Sequence, residues 1–564
     1  MAAQPVARLE SAKVCGTEVG CLPDIDKRLR FLLLAALTIL AAWLRFSGIG
    51  FGLPDQFRPD EEMMVPLALD FEKDWNPHLA IYPAAQTYLV HGALRSYATL
   101  TRAGNDLHAV YGADNGARAF LFARRISAIM GTVTVPVIYM AAEPVFGPGA
   151  ALVSAAIVTV AYIHVRESKF AKVEAPAGLW LAVSILMMLR ITSRGHWRDY
   201  VLASVFCGLA AATHYTAGAI AISILVAHLE TCLRKDRRVL TALLDPKIYL
   251  SGVVTIVTFL CVDPYFVLDW HQTLETFKSM RAAYRMWNGG HSPAGFGWPW
   301  LLGLAMPSGF GIGLEIFLMA ALLWVVFHAR PGAFALLAFI VACFLSVTNG
   351  HPQLEFRYLI NPLLAMALLG GIFAVDLTAL ACSRIGTRLG LLVAGSAGIL
   401  LMTPSMMRDV QLNWLLHQTD TRTIAAKWMV EHIPPTTPIV LIKGDKYGKP
   451  KVPGTYVLFP VYNLRGLQRI TKWAKWVVSD SFPPLSLWSP GATDGELAEL
   501  NSDGTLEFDV DPVRPGAETP VFDPNDAFYV PFDHITSMTR PGPRIRIWKI
   551  SGPPDGSLSR PSFP

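Results

Sequence analysis

Three carboxylates, Asp60, Glu61 and Glu62, stand side by side just after a hydrophobic run from Phe31 to Phe51. Arg58-Pro59 precedes them, and Asp74-Trp75-Asn76-Pro77-His78 and Tyr82-Pro83 follow closely. A run of that length crosses a bilayer at about 1.5 Å per residue, so the acids fall at a membrane surface. Carboxylates that close repel one another, and desolvation at a membrane face raises the pKa of one of them further. That is a route to a general base. The alternative is a solvated loop that keeps the helix end in water.

Composition decides what frames these residues. The chain has 564 residues, of which 52% are hydrophobic and only 16% charged. A soluble protein carries nearer 25% charged residues, so this is a polytopic α-helical membrane protein. The apolar runs read as about eleven transmembrane helices. They cover 31–51, 122–143, 149–165, 174–191, 200–213, 216–231, 249–267, 311–328, 332–348, 357–379 and 389–405. The Gly-, Pro- and Trp-rich stretch 298–310 reads as a half-helix or an interfacial piece.

Basic residues orient the spans. Lys27, Arg28 and Arg30 precede the first, Arg194 and Arg198 follow the fourth, and Arg234, Lys235, Arg237, Arg238 and Lys247 follow the sixth. Arg330 follows the eighth, and Arg384 and Arg388 the tenth. With eleven spans these loops share one side, which the positive-inside rule makes cytoplasmic. Residues 1–30 are then a cytoplasmic tail and the first span a signal anchor. The 52–121 loop and the tail 406–564 lie outside together.

That tail, about 160 residues, is long enough for a small domain. It reads as α/β. Ile424, Trp428 and Met429 share one face of a helix over 420–432, which Pro434-Pro435 stops. Residues 438–442, 476–479 and 544–548 read as strands, and 481–543 as surface loop. None of the seven cysteines, Cys15, Cys21, Cys207, Cys232, Cys261, Cys343 and Cys382, falls in it, and Cys15 and Cys21 have no nearby His to complete a zinc site. No phosphate-binding loop or nucleic-acid motif is present.

The order of features resembles the C-type membrane glycosyltransferases, in the branch of bacterial protein-mannosyltransferase-like and aminoarabinose-transferase-like enzymes. Five elements carry the likeness. They are the acidic pair Asp60-Glu61, the segment Asn76 to Pro83, the run Ala123 to Thr132, Glu174-Ala175-Pro176 in a second external loop, and Phe356-Arg357-Tyr358-Leu359 opening a late span. Asp420-Thr421-Arg422 resembles the opening of the external domain.

The resemblance implies a C-type fold with a catalytic first loop inside a membrane module, 31–405. It implies transfer of a sugar from a polyprenyl-phosphate donor to an acceptor hydroxyl on a glycan, lipid or protein, with inversion, on the outer face of a bacterial inner membrane. Asp60 is then the base, and Glu61 orients it or bonds the acceptor. Arg58, Arg166, Lys169, Lys172 and Arg357 are the cations available to the leaving phosphate, or else anchors that reach lipid headgroups. His78, Tyr82, Glu174 and His351 complete the substrate-binding candidates. Asp60 and Glu174 could hold magnesium or manganese, although enzymes of this branch need not use a metal.

Two other classes are weighed against this one. A transporter places ionisable residues in mid-membrane, whereas the main intramembrane acids here, Glu315 and Asp376, lie near span ends. A non-catalytic scaffold has no reason to gather acids and arginines on one face.

Overall fold

A computed structural model describes residues 25–551, except 79, 105, 292–296, 329, 351–354, 443–446, 462–474, 482–491 and 524–527. Cys15, Cys21 and His351 lie outside the described residues.

Each expected apolar run is helical. The helices, in chain order, begin with α1 (Lys27–Phe46), α2 (Glu61–Asp70), α3 (Ala85–Leu100), α4 (Ala117–Phe146) and α5 (Pro148–Val160). Next come α6 (Glu174–Ser193), α7 (Trp197–Thr213), α8 (Ile220–Leu233), α9 (Pro246–Val262) and α10 (Trp270–His291). Then follow α11 (Ile312–Phe327), α12 (Ala333–Leu345), α13 (Ile360–Ile385) and α14 (Thr387–Leu416).

Among the described residues seven helices are long and apolar enough to cross a membrane, or eight if one bent pair is a single span. The difference from eleven is one of length. The helix α5 has 13 residues, about 20 Å at 1.5 Å each, short of a hydrocarbon core of about 30 Å. The helices α7 and α12 are similarly short. The bent pair joins Gly297–Phe310 to α11 at 118°, so the Gly/Pro/Trp stretch is a broken helix.

Local sequence sets the breaks. Gly147 joins α4 to α5 at φ 87°, and Gly386 joins α13 to α14 at φ 85°. That region penalises any Cβ, so glycine permits two helices to meet with almost no loop. Pro148 and Pro246 start their helices where a missing N–H costs nothing. The core packs α6 against α4 and α7, α5 against α13, and α1 against α4. Two short helices, α2 and α3, fill the 52–121 loop with a hydrophobic cluster of their own that includes Val65, Leu69, Leu94 and Phe120.

After α14 comes α15 (Thr421–His432), capped by Asp420, whose carboxylate accepts from the Arg422 amide at 2.8 Å. A five-stranded sheet follows in the order β2-β1-β3-β5-β4. Its strands are β1 (Pro438–Ile442), β2 (Val457–Val461), β3 (Trp476–Ser481), β4 (Gly504–Val510) and β5 (Arg544–Ile550). The strand β1 pairs parallel with β2 and β3, and β5 pairs antiparallel with β3 and β4. Three of these strands were expected. The stretch expected as loop holds α16 (Asp494–Asp503) and β4. Thr493 and Glu496 form a capping box that starts α16, a signal the sequence carried.

The chain then returns to the membrane helices. The Tyr162 hydroxyl donates to the Pro531 carbonyl at 2.9 Å, and Arg166 donates to that of Val530 at 3.3 Å.

Candidate active site

Asp60 is the N-cap of α2 and sits at φ 71°, ψ −34°. A non-glycine residue held there costs of order 1–3 kcal/mol, and such outliers gather at functional sites. Its neighbour supplies the hold. Glu61 is fully buried and takes Arg124 in a fork, at 2.9 Å from Nε and 2.6 Å from Nη2. Arg124 also donates to the carbonyls of Ile49 and Phe51, at 3.0 and 2.8 Å. Glu61 Oε1 accepts from the Ala171 amide at 2.7 Å. One carboxylate thus ties the end of the first span, α4 and the 168–173 turn together. The structure gives Glu61 a positioning place rather than one on the open side of the site.

The 168–173 turn delivers Lys172, and the short helix Phe356–Leu359 delivers Arg357. Both meet Asp60. Its Oδ2 lies 3.0 Å from Lys172 Nζ and 2.9 Å from Arg357 Nη1, and accepts from the Tyr82 hydroxyl at 3.2 Å. Glu174, the first residue of α6, closes the ring at 3.3 Å from Lys172 and 3.5 Å from Arg357 Nε. Glu355 also pairs with Arg357 Nε. Three acids and two bases therefore share one cluster, drawn from three separate parts of the chain.

Access is unequal within it. The side chains of Lys172 and Glu174 are 1% and 2% exposed, whereas Asp60 and Arg357 keep 20% and 16%. An incoming ligand meets Asp60 and Arg357 first. Lys172 is too buried to reach lipid headgroups.

The electrostatics reverse one expectation. Burial alone raises the Asp60 pKa, but Lys172, Arg357 and Arg58 outweigh it and hold the carboxyl far below the usual range. Arg124, paired with Glu61 at 2.6 Å, sets a positive charge against the neighbouring acid. Burial pushes Glu355 up to about 8, against the pull of Arg357, and the charge of Asp523 adds to the rise. Burial beside Asp60 raises the Tyr82 hydroxyl as well.

The other candidates lie elsewhere. Arg58 and Arg166 are buried against Glu167, at 3.8 and 2.8 Å, with their guanidinium groups over Phe170. The Arg166 group also lies 3.9 Å from the Phe532 ring centre. Lys169 donates to the backbone carbonyls of Leu44 and Ser47, and burial lowers its pKa to about 7. His78 is exposed and pairs with Asp74 at 2.8 Å. For a divalent ion, Asp60 and Glu174 do not fit as they stand. The Lys172 ammonium lies on both carboxylates and fills the position between them.

Sequence reasoning passed over Arg124, which locks the acidic pair, and Asp523, whose Oδ2 accepts from the Phe356 amide at 2.8 Å beside Arg357. An arginine inside an expected apolar span, 122–143, was the available signal for the first.

Residues 117–265 match the family of dolichyl-phosphate-mannose-protein mannosyltransferases. The fold is similar to that of the archaeal oligosaccharyltransferase AglB from Archaeoglobus fulgidus, solved with an inhibitory peptide and a dolichol-phosphate. The TM-score is 0.51 at 14% identity, over 86% of this chain and 73% of that one. The matched family segment is a minority of the chain, and the likeness to the solved structure is one of fold. The chain is also similar to ArnT from Cupriavidus metallidurans bound to undecaprenyl phosphate, with a TM-score of 0.48 and 13% identity over 93% of this chain and 99% of that one. No curated protein matches it.

Proposed function

We propose that this chain is a C-type membrane glycosyltransferase that moves a sugar from a polyprenyl-phosphate donor to an acceptor hydroxyl on the extracytoplasmic face, with inversion. One observation carries the reading. Asp60 and Arg357, the two members of the charged cluster open to a ligand, are bonded to each other. A phosphate arriving at Arg357 would compete directly with Asp60 for the guanidinium.

That competition gives the low Asp60 pKa a use. Without donor, Lys172 and Arg357 hold Asp60 ionised and weakly basic. A donor phosphate engaging Arg357 takes part of that positive charge from Asp60, so its basicity rises when substrate is present. Asp60 then accepts the acceptor's hydroxyl proton while the oxygen attacks the anomeric carbon. The bond from that carbon to the phosphate oxygen breaks, and its electron pair leaves with the polyprenyl phosphate. The departing phosphate gains charge, so contacts to Arg357 and Lys172 strengthen in the transition state. Direct displacement inverts the sugar.

The layout belongs to the same proposal. Eleven spans put the N-terminus in the cytoplasm and put the 52–121 loop and the sheet domain together outside a bacterial inner membrane. The sugar is a hexose, pentose or aminosugar, and the acceptor a glycan, lipid or protein. Mass spectrometry of surface glycolipids and glycoproteins from cells with and without the chain tests this reading. Loss of one defined sugar in its absence supports it. An unchanged glycome with altered uptake of a small solute would favour a transporter.

A further inference from the structure

At the far end of α8 from the Asp60 cluster, three residues converge that the transfer reaction does not use. His228 and Cys232 lie four positions apart on α8 and so share one face. They are 1% and 5% exposed. Asp245, the N-cap of α9, reaches them across the turn between the two helices, and the ligand atoms of all three lie within 4.8 Å of one another.

We propose that His228, Cys232 and Asp245 form a zinc site that clamps the 234–245 segment onto α8. Its core distance is the argument. Zinc bonds of about 2.3 Å to sulfur and about 2.05 Å to nitrogen, at a tetrahedral angle, set those atoms about 3.6 Å apart. Cys232 Sγ lies 3.5 Å from His228 Nε2. The outer contacts agree. His228 Nδ1 lies 2.7 Å from the Tyr200 hydroxyl, so its second nitrogen is fixed as in metal-bound histidines. Nε2 meets the Ala242 carbonyl at 2.9 Å, a hydrogen bond that the metal would replace.

Asp245 keeps capacity for an ion. Its Oδ1 accepts from the Lys247 amide at 3.0 Å and its Oδ2 from Arg237 at 3.1 Å. Each oxygen of a carboxylate has a second lone pair. One nitrogen, one sulfur and one oxygen select zinc over magnesium or calcium, which take oxygen alone. Water would take the fourth position.

Full-length protein purified in detergent without chelator, analysed by plasma mass spectrometry, tests this. About one zinc per chain is expected, falling about tenfold or more in His228→Ala and Cys232→Ser. Cys261→Ser, at an exposed cysteine, should leave the zinc content unchanged. The wild type also gives a test that needs no variant to fold. Stripped with chelator and titrated with cobalt(II), it should develop a thiolate-to-cobalt charge-transfer band. Wild-type zinc below about a tenth of an equivalent, together with no such band, would overturn the site and leave a buried His–Cys–Tyr hydrogen-bond cluster. Zinc retained in both His228→Ala and Cys232→Ser would overturn it equally.

Discussion

Arg357→Lys separates a phosphate fork from a simple positive charge. Arg357 touches Asp60 through Nη1 and both Glu174 and Glu355 through Nε, a planar geometry that an ammonium cannot reproduce. Losing one hydrogen bond between charged groups costs about 1.5–3 kcal/mol. If the phosphate makes that contact in the transition state, about 1.4 kcal/mol per tenfold predicts a kcat lower by about tenfold to a hundredfold. Arg357→Ala should lose more and raise the donor KM. It also leaves Asp60, Glu174 and Glu355 around Lys172 alone, and stranding buried charge costs about 3–5 kcal/mol of stability. The lysine variant is therefore the decisive one. The assay is single-turnover transfer from a purified polyprenyl-phosphate sugar in detergent, with thermal unfolding as a control. A lysine variant that folds and keeps wild-type kcat would refute the fork and leave Arg357 as a replaceable anchor.

Asp60→Asn should lower transfer about 10²- to 10⁴-fold, the usual cost of a lost base, and turnover within a few-fold of wild type would remove Asp60 from that role. Arg124→Met strands the Glu61 carboxylate and should destabilise the fold by about 3–5 kcal/mol, read as a fall in Tm; an unchanged Tm would show that the pair does not position the loop. Glu355 should make donor binding pH-dependent. Because its pKa is up to about 8, against 4.5 ordinarily, the folded state binds the extra proton, and Glu355's contribution to stability falls as pH rises between these values. Above pH about 8 the ionised carboxylate competes with phosphate for Arg357, so the donor KM should rise there, and Glu355→Gln should flatten the rise. Reporter fusions after Arg198, Arg238 and Arg388 should read cytoplasm and one after Gln418 the outside; a cytoplasmic signal at Gln418 contradicts the eleven-span layout.

Hydrophobic runs made the helices legible, because membrane burial demands long apolar stretches whatever the tertiary packing. Boundaries were less so. The run 389–405 continues as helix to Leu416, where the residues become polar and periodicity no longer marks a membrane. In the sheet, β1 and β5 show dense apolar or alternating patterns, whereas β2 carries Pro460, which argues against a strand, and β4 is rich in acids. Within the site, residue types were readable but partners were not. Asp60, Tyr82, Glu174 and Arg357 could be nominated from type and order. That Arg124 pairs with Glu61, and that Lys172 lies between Asp60 and Glu174, depends on contacts not marked by spacing in the sequence. The expectation that one of the three carboxylates has a raised pKa is reversed at Asp60, because Lys172, Arg357 and Arg58, distant in sequence, lie against it.

The sheet domain is tied into the same problem. Asp523 caps the Phe356 amide at the start of the turn that carries Arg357, and Phe532 packs edge-on against Phe356 at 4.7 Å between ring centres. Arg408, near the end of α14, pairs with Asp533. Phe356, the residue before Arg357, is therefore held by residues far later in the chain. Arg357 has to hold against Glu355, Glu174 and Asp60 at once, and a guanidinium on a mobile turn would relax toward one acid and close the gap a phosphate needs. Contacts from the C-terminal segment oppose that relaxation. Under the proposed reaction, the segment after β4 is then part of the frame that positions Arg357.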